Sequence, residues 1–242
     1  MTTADAVRRR LGLGRLLPLG EAADGAWLTE EAAVAVLRRA AVEIAGVEPG
    51  KVRLALADPA RAGAPAVPAP PSALPPGPLR VEAEFAATAD RPLPAVAATL
   101  REALFSAAID TLGLAVREVD LRVTALVEPG ETGRAGGAGE KVRGTPPPGV
   151  RPGETPGPNL PEAVAEGPSA RVAAAATGVP GVARLTAALG AAVRLAPDHV
   201  RVELATSPGH HPPTVVRAVR SAVSAALPDG GPVAVVVTGV SG

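Results

Sequence analysis

Cysteine and tyrosine are absent from this 242-residue chain, and its only aromatic residues are Trp27, Phe85 and Phe105. Without cysteine, the chain can form no disulfide, no thiolate metal site and no cysteine nucleophile. With so few aromatic rings, it also lacks the stacking platforms on which proteins bind single-stranded nucleic acids. The hydrophobic core must therefore be built mainly from valine, leucine and alanine.

Neither sign of charge is in excess, since lysine plus arginine and aspartate plus glutamate both number 24. Nucleic-acid binders that work through phosphate contacts commonly carry a basic excess, which this chain as a whole lacks. Lysine occurs only at Lys51 and Lys141, and glycine and proline number 27 and 28. This bias is typical of a high-GC bacterial genome and is not evidence for guanidinium chemistry.

No apolar run approaches the roughly 18–20 residues that span a bilayer. Near the start, Arg8 to Arg10 precede a leucine-rich stretch. Arg15 and Pro18 interrupt that stretch and no small-residue cleavage site follows, which argues against a signal peptide. The sequence therefore predicts a cytoplasmic protein. Residues 5–19 have two interpretations: they dock on the first domain, or they form a short anchor at the inner face of the membrane.

Hydrophobic periodicity predicts two α/β units separated by a linker. A preface at residues 1–24 comes first, and residues 128–167, rich in glycine, proline, threonine and glutamate, are predicted to be a disordered linker. The first unit, 25–127, carries a helix capped by Thr29 and a second helix from about Pro92 to Leu112. Its strands are at 52–57, 79–85 and 119–127, and the strand at 79–85 alternates between apolar and charged residues. A proline-rich surface insert lies at 59–78. The second unit, 168–242, carries helices at 170–177 and 213–227, strands at 200–204 and 233–240, and one or two more strands between them.

The two units share an order of elements. LRVEAEF, a helix and VDLRVTALV in the first correspond to VRVELAT, a helix and VAVVVTGV in the second. We predict a divergent internal duplication from this order. Strands that are patterned on one face need a single helical layer. The predicted fold is therefore α/β (α+β): two small two-layer sandwiches, each a three- to four-stranded sheet with two helices on one face, joined by the disordered linker.

Several segments resemble the alkaline shock protein family of the bacterial envelope stress response. WLTEEAAVAVLRRAA, from Trp27, resembles its opening strand and helix, and VPGVARLTAALG, from Val179, resembles the turn and strand after the first helix. PTVVRAVRSAVSAALP and VAVVVTGV resemble its last helix and strand. The resemblance covers most of 25–127 and 169–240 and is more specific in the second unit. It implies a cytoplasmic, non-catalytic protein, in some members held at the membrane by a separate anchor protein, and no catalytic motif to carry over.

Candidate chemistry is sparse. Three histidines, His199, His210 and His211, are spread so that no cluster has the spacing of metal ligands or of a catalytic site. Lys141 in GGAGEK is followed by valine instead of serine or threonine, and residues 11–14 follow no strand, so neither segment is a phosphate loop. We assign no catalytic, metal or cofactor-binding residue, expect no cofactor, and predict that the protein is not an enzyme.

Charged residues lie on the predicted outer strand faces and on the last helix. Cross-strand ion pairing on a wet face is the expected role of the strand residues Arg80, Glu82, Glu84, Arg201 and Glu203. Arg217 and Arg220 flank the apolar stripe of the last helix. We predict a solvated helix face there, with part of a basic patch as the alternative.

The sequence favours a non-catalytic scaffold or assembly protein related to the cell-envelope stress response. The expected partner is a protein, either a membrane anchor protein or a second copy of the chain, and no nucleic acid is expected. The alternative is a nucleic-acid-binding module of a small α/β fold.

The last strand differs between the units and predicts where a partner binds. Val233 to Val237 are apolar on both faces, and such a strand is normally covered on both. A two-layer unit covers one face, so the first unit, a second copy or a partner must cover the other. We predict a main interaction surface centred on Ala234 and Val236, where Val236→Glu would abolish association and leave the fold largely intact.

Overall fold

The computed structural model describes residues 14–128, 167–228 and 230–240. Within these residues, four α-helices and nine strands form a mixed α+β structure with two sheets, which confirms the predicted class. The predicted disorder of the linker falls almost entirely on residues outside the described ranges. In chain order the elements are β1 (Leu16–Pro18), β2 (Ala26–Thr29), α1 (Glu30–Val42), β3 (Val47–Leu56), β4 (Leu79–Thr88), α2 (Leu93–Ser106), β5 (Val116–Val127), α3 (Pro168–Thr177), β6 (Val182–Leu185), β7 (Val193–Leu195), β8 (Val200–Thr206), α4 (Pro212–Ala226) and β9 (Val233–Val240).

The helices of the first half begin where the sequence predicts, and the second ends earlier. The Thr29 hydroxyl accepts a hydrogen bond from the Ala32 amide at 3.4 Å, which caps α1. Helix α2 was expected to continue to Leu112, but it ends at Ser106 and passes into one wider turn at Ala107–Thr111. Gly113, at φ 68°, then redirects the chain toward β5 because it tolerates the left-handed conformation.

The three-stranded sheet has the order β3-β4-β5. Strands β3 and β4 form an antiparallel hairpin, and β4 pairs with β5 in parallel through the crossover helix α2. Side chains of β4 alternate between the two faces of the sheet. One set is buried in the core, and the other set lies on the outer face: Arg80, Glu82 and Glu84. The helices therefore cover one face of this sheet.

The second half repeats this topology. Strands β6 and β8 are antiparallel, and β8 pairs with β9 in parallel through α4. The halves also match locally: Gly46 and Gly181, both with positive φ, stand just before β3 and β6. The amide of Thr88 donates to the Gly46 carbonyl at 3.0 Å, and that of Ser207 donates to the Gly181 carbonyl at 2.8 Å. A duplication requires this correspondence, and the duplication itself stays a prediction.

The division of strands between the sheets differs from the prediction. Strand β2 pairs in parallel with β9, and β1 pairs antiparallel with β2, so the second sheet has six strands instead of three or four. The preface docks on residues of the predicted first unit, as one of its two interpretations expected, because β1 pairs with β2 and Leu16 exchanges backbone hydrogen bonds with Ser72 and Leu74. Through β2, both strands join the sheet of the second half. Leu16, Leu17 and Leu19 are buried there, so these three side chains are not exposed for contact with a membrane.

A continuous hydrophobic core joins the two halves. It includes buried residues of all four helices and of both sheets, among them Val36 of α1, Leu100 of α2, Val172 of α3 and Val219 of α4. At the junction, Gly113 lies against the Pro213 ring at the start of α4, where a Cβ would clash. The predicted units at 25–127 and 168–242 therefore share buried surface.

Cleavage between the halves should leave the two fragments associated. A specific protease site inserted near residue 145 divides the chain without touching β2, β9 or the core. Because β2 pairs with β9 and the core is continuous, we expect the fragments to co-elute in size-exclusion chromatography and to separate only in denaturant. Elution as two independent folded species would show that the halves fold alone.

Candidate functional site

The face predicted as the interaction surface is buried inside the chain. Ala234 and Val236 are both 0% exposed and pack with Leu16, Trp27 and Val67. Trp27 lies beside Val236 in the β2–β9 register, and its indole nitrogen donates to the Leu74 carbonyl at 3.3 Å. We call this side of the six-stranded sheet the covered face: Leu16, Trp27, Arg201, Glu203, Ala234 and Val236.

The proline-rich segment, residues 59–78, provides much of the cover. The Leu16 amide donates to the Ser72 carbonyl at 3.1 Å, and the Leu74 amide donates to the Leu16 carbonyl at 2.8 Å. Val67 is 5% exposed within the apolar cluster. The segment is a surface loop, as expected, since most of its residues are exposed or half-buried. It is also packed on the sheet: proline removes backbone donors, but other carbonyls and amides of the segment pair with β1, and its few apolar side chains pack.

The predicted cover on both faces of β9 agrees with the structure, and the first unit, one of the three covers expected, supplies it through Trp27 and Val67. The expected exposure of Ala234 and Val236 to a partner is not observed. The strand is covered on both faces, with Val233, Val235 and Val237 in the main core and Ala234 and Val236 under the proline-rich segment. This chain's own residues supply the second cover. Ala234 and Val236 are consequently not available to a partner.

The covered face also contains a buried ion pair that was expected on a wet surface. The guanidinium of Arg201 and the carboxylate of Glu203 lie 3.0 Å apart, with side chains 8% and 0% exposed. Glu203 accepts a hydrogen bond from the Leu189 amide at 2.8 Å. Arg201 Nε and Glu203 Oε1 have no hydrogen-bond partner of acceptable geometry. The expectation is wrong here because the loop around Leu189 packs over both side chains.

Burial determines the ionisation of Glu203. Loss of solvation raises its pKa, and the Leu189 amide and the Arg201 charge only partly offset that effect, so the pKa lies above its ordinary value. A buried ion pair whose hydrogen bonding is incomplete contributes little net stability, although removing one partner is costly.

The outer face of the three-stranded sheet is open. Cross-strand ion pairing was expected on this face, and two pairs cross from β4 to β5: Arg80 lies 3.6 Å from Asp120, and Arg122 lies 3.7 Å from Glu84. Arg80 also lies 2.9 Å from Glu82 of its own strand. A shallow depression of about 420 Å³ lies on this side. We call it the open face: Lys51, Arg53, Arg80, Glu82, Glu84, Asp120 and Arg122.

The outer edge of β5 adjoins the open face. Strand β9 pairs with β2 along the corresponding edge, but no strand within the described residues pairs with that edge of β5. Val123 and Leu126 at the end of β5 are 37% and 62% exposed. Arg101 of α2 donates to the Val119 carbonyl at 3.3 Å.

The opposite edge strand, β3, is blocked by side chains. Glu30 accepts a hydrogen bond from the Leu54 amide at 3.3 Å, and the Arg15 guanidinium donates to the Leu54 carbonyl. Pro49 and a register shift interrupt the same strand. Proline, bulges and inward charges are common ways of protecting a sheet edge from pairing, which leaves β5 as the accessible edge of this sheet.

The last helix places its two arginines on Asp24. Arg217 Nε lies 3.2 Å from both carboxylate oxygens of Asp24, and Arg220 lies 3.8 Å from one of them. Burial alone would raise the pKa of Asp24. The pKa is nevertheless lowered overall, because Asp24 accepts hydrogen bonds from Arg217 and the Glu21 amide and lies near the charges of both arginines. Arg217 is still half exposed, but its charge is paired, which weakens the alternative of a basic patch.

The histidines make single contacts. A ring nitrogen of His210 lies 3.0 Å from the Pro208 carbonyl, and one of His211 lies 3.3 Å from the Ile109 carbonyl. His199 pairs with the neighbouring Asp198 at 2.8 Å. In the described part of the chain, no group of three or more acidic or histidine residues could hold a metal ion.

The helices of the described ranges include none long and apolar enough to cross a membrane.

Comparisons with known proteins return little. No family model and no curated protein matches the chain. Two solved structures of the MamM CTD are weakly similar. A double-alanine variant aligns at 13% identity and a TM-score of 0.27 over 40% of this chain and 96% of that one. The zinc form of an Asp-to-Asn variant aligns at 14% identity and a TM-score of 0.28, over 43% of this chain and 91% of that one. Similarity this low carries no argument about fold or function.

Proposed function

We propose that the protein is a non-catalytic assembly protein that binds protein partners at the β5 edge and the adjoining open face. One observation carries this proposal. The chain covers the equivalent face and edge of its second half with its own residues, and no residue within the described ranges covers those of its first half. In the second half, β2 pairs with the edge of β9 and the proline-rich segment packs on the covered face. A partner segment in extended conformation could occupy the β5 edge as β2 occupies that of β9.

The charges of the open face support a protein partner. Arg80 and Arg122 already lie against carboxylates of the same face, so a phosphate backbone would meet a mixed surface instead of a basic one. A mixed face adjoining exposed apolar side chains is typical of a protein interface with a polar rim. This arrangement favours the assembly role over the alternative of a nucleic-acid-binding module.

The segments that resemble alkaline shock proteins support a role in the cell-envelope stress response as part of this proposal. In this proposal the protein acts in the cytoplasm or at the inner face of the membrane, through a separate anchor protein or through its own copies. The 25–127 and 168–242 units are proposed to descend from one domain, with the first presenting the binding edge and the second stabilising the chain.

Affinity purification with variants of the β5 edge tests the proposed function. The tagged full chain and Val123→Lys/Leu126→Lys are purified from native cells, with and without membranes and with and without envelope stress. We expect defined proteins, this chain's own untagged copies included, to bind the wild type and to be lost with the double variant. Val42→Lys, at a 61% exposed position on α1, is the matched control and should retain them. Identical recovery with all three proteins would contradict the proposal.

A further inference from the structure

We infer that the β5 edge binds the β5 edge of a second copy of this chain, in an antiparallel pair whose two-fold axis passes through Leu121. This inference rests on the proposed function, since it names the occupant of the same edge. The pairing would join two three-stranded sheets into one six-stranded sheet.

The strand is suited to pairing in its central part. Residues 118–123 of β5 follow β4 in regular register, from Glu118 opposite Arg80 to Val123 opposite Phe85, with irregularities only before and after. In this stretch Glu118, Asp120 and Arg122 lie on the open face, and Val119, Leu121 and Val123 lie on the helix side. A regular strand with its outer edge unpaired within the described residues is a template for another strand.

The charges select one register. In an antiparallel pair, residues directly opposite each other point to the same face, and opposite charges there stabilise while like charges destabilise. A two-fold axis at Leu121 places Asp120 opposite Arg122 of the second copy, twice in the dimer. An axis at Asp120 or at Arg122 would place that charged residue opposite its own copy. An axis at Val119 would place Glu118 opposite Asp120. Each of these registers therefore brings like charges together. The register centred on Leu121 is therefore the self-complementary one among these.

The apolar side chains agree with this register. Val123 faces Val119 of the second copy, and Leu126 faces its Val116. Val119 and Val116 are buried beneath the helices, whereas Val123 and Leu126 are exposed. Each exposed strand end thus meets the apolar beginning of the other strand, and a symmetric dimer makes both contacts twice. Arg101, which donates to the Val119 carbonyl, is a solvent-exposed side chain that the second strand can displace.

Charge-exchange variants of the full chain test the inference by sedimentation equilibrium. The wild type should form dimers of the 23.9 kDa chain. Asp120→Arg places arginine opposite arginine, and Arg122→Asp places aspartate opposite aspartate, so each should weaken dimerisation at least about tenfold. The double variant Asp120→Arg/Arg122→Asp should restore it, and so should an equimolar mixture of the two single variants. Arg53→Asp, on the same face of β3, makes the same change of charge away from the β5 edge and should dimerise like the wild type.

Recovery of dimerisation in the double variant distinguishes the contact between copies from effects within one chain. Asp120 and Arg122 also lie near Arg80 and Glu84 of their own chain. The double variant keeps both of those local repulsions, so only pairing between copies can restore its affinity. Circular dichroism confirms that each variant is folded. A monomeric wild type, single variants that dimerise normally, or a mixture that does not recover would each overturn the inference. If partners are still lost with the Lys variants while the wild type is monomeric, the proposed function survives with another occupant of the edge.

Discussion

The variant Val236→Glu is expected to unfold, with a loss of more than about 4 kcal/mol in the free energy of unfolding. Its side chain is 0% exposed between Trp27 and the proline-rich segment, so the new carboxylate would be buried in an apolar cluster without a cation of its own. A loss of this size is a large fraction of the stability of an ordinary domain. This result reverses the expectation from the sequence, which placed Val236 on an exposed interaction surface.

Urea unfolding followed by the fluorescence of Trp27 measures this loss. Trp27 is the single tryptophan of the chain and lies in the covered face next to Val236, so its emission reports the site directly. Val42→Glu makes the same change at an exposed helical position and should cost less than about 1 kcal/mol. If Val236→Glu were as stable as Val42→Glu, the covered face would have to be open in solution.

The variant Arg201→Met is expected to destabilise the chain by about 3–5 kcal/mol, because it leaves the buried Glu203 carboxylate without its cation. The double variant Arg201→Met/Glu203→Leu should recover most of that loss, since replacing a buried ion pair by apolar side chains is often neutral. Denaturant titration of the two variants and the wild type measures both steps. A single variant as stable as the wild type would mean that Glu203 is solvated.

The loss in Arg201→Met should depend on pH. Burial raises the folded-state pKa of Glu203 above the unfolded value of about 4.5, so the folded state favours the protonated carboxyl. The stability gained by protonation is complete below that unfolded value and is lost as the pH rises through the folded-state pKa. The difference in the free energy of unfolding between Arg201→Met and Arg201→Met/Glu203→Leu should therefore shrink as the pH falls toward 4.5. A difference independent of pH would show that Glu203 is not the cause.

Local signals in the sequence predicted the elements well. The cap at Thr29 and the alternation in β4 depend on neighbouring residues, and both agree with the structure. The last strand, β9, was predicted with its observed bounds, Val233–Val240. Its apolar character on both faces also predicted that both faces would be covered. These features follow from periodicity and capping, which act over a few residues.

Long-range pairing could not be predicted in the same way. Arg201 and Glu203 show the same two-residue spacing as Arg80 and Glu82, yet one pair is buried and the other is exposed. The difference comes from the loop around Leu189 and from segments more than a hundred residues away in sequence, which pack over one sheet and not over the other. Two residues gave an available signal: Val67, the lone β-branched residue of the proline-rich segment, and Trp27, a large ring that needs a buried site.

Hydrogen–deuterium exchange of the full chain at increasing protein concentration tests the central claim most directly. In the proposed assembly, copies pair through the β5 edge, whereas the β9 strand is already covered within the chain. Protection of amides in residues 117–127 should rise with concentration, while protection of residues 233–240 should be high and unchanged. Protection of β5 that does not depend on concentration, or protection of β9 that does, would contradict it.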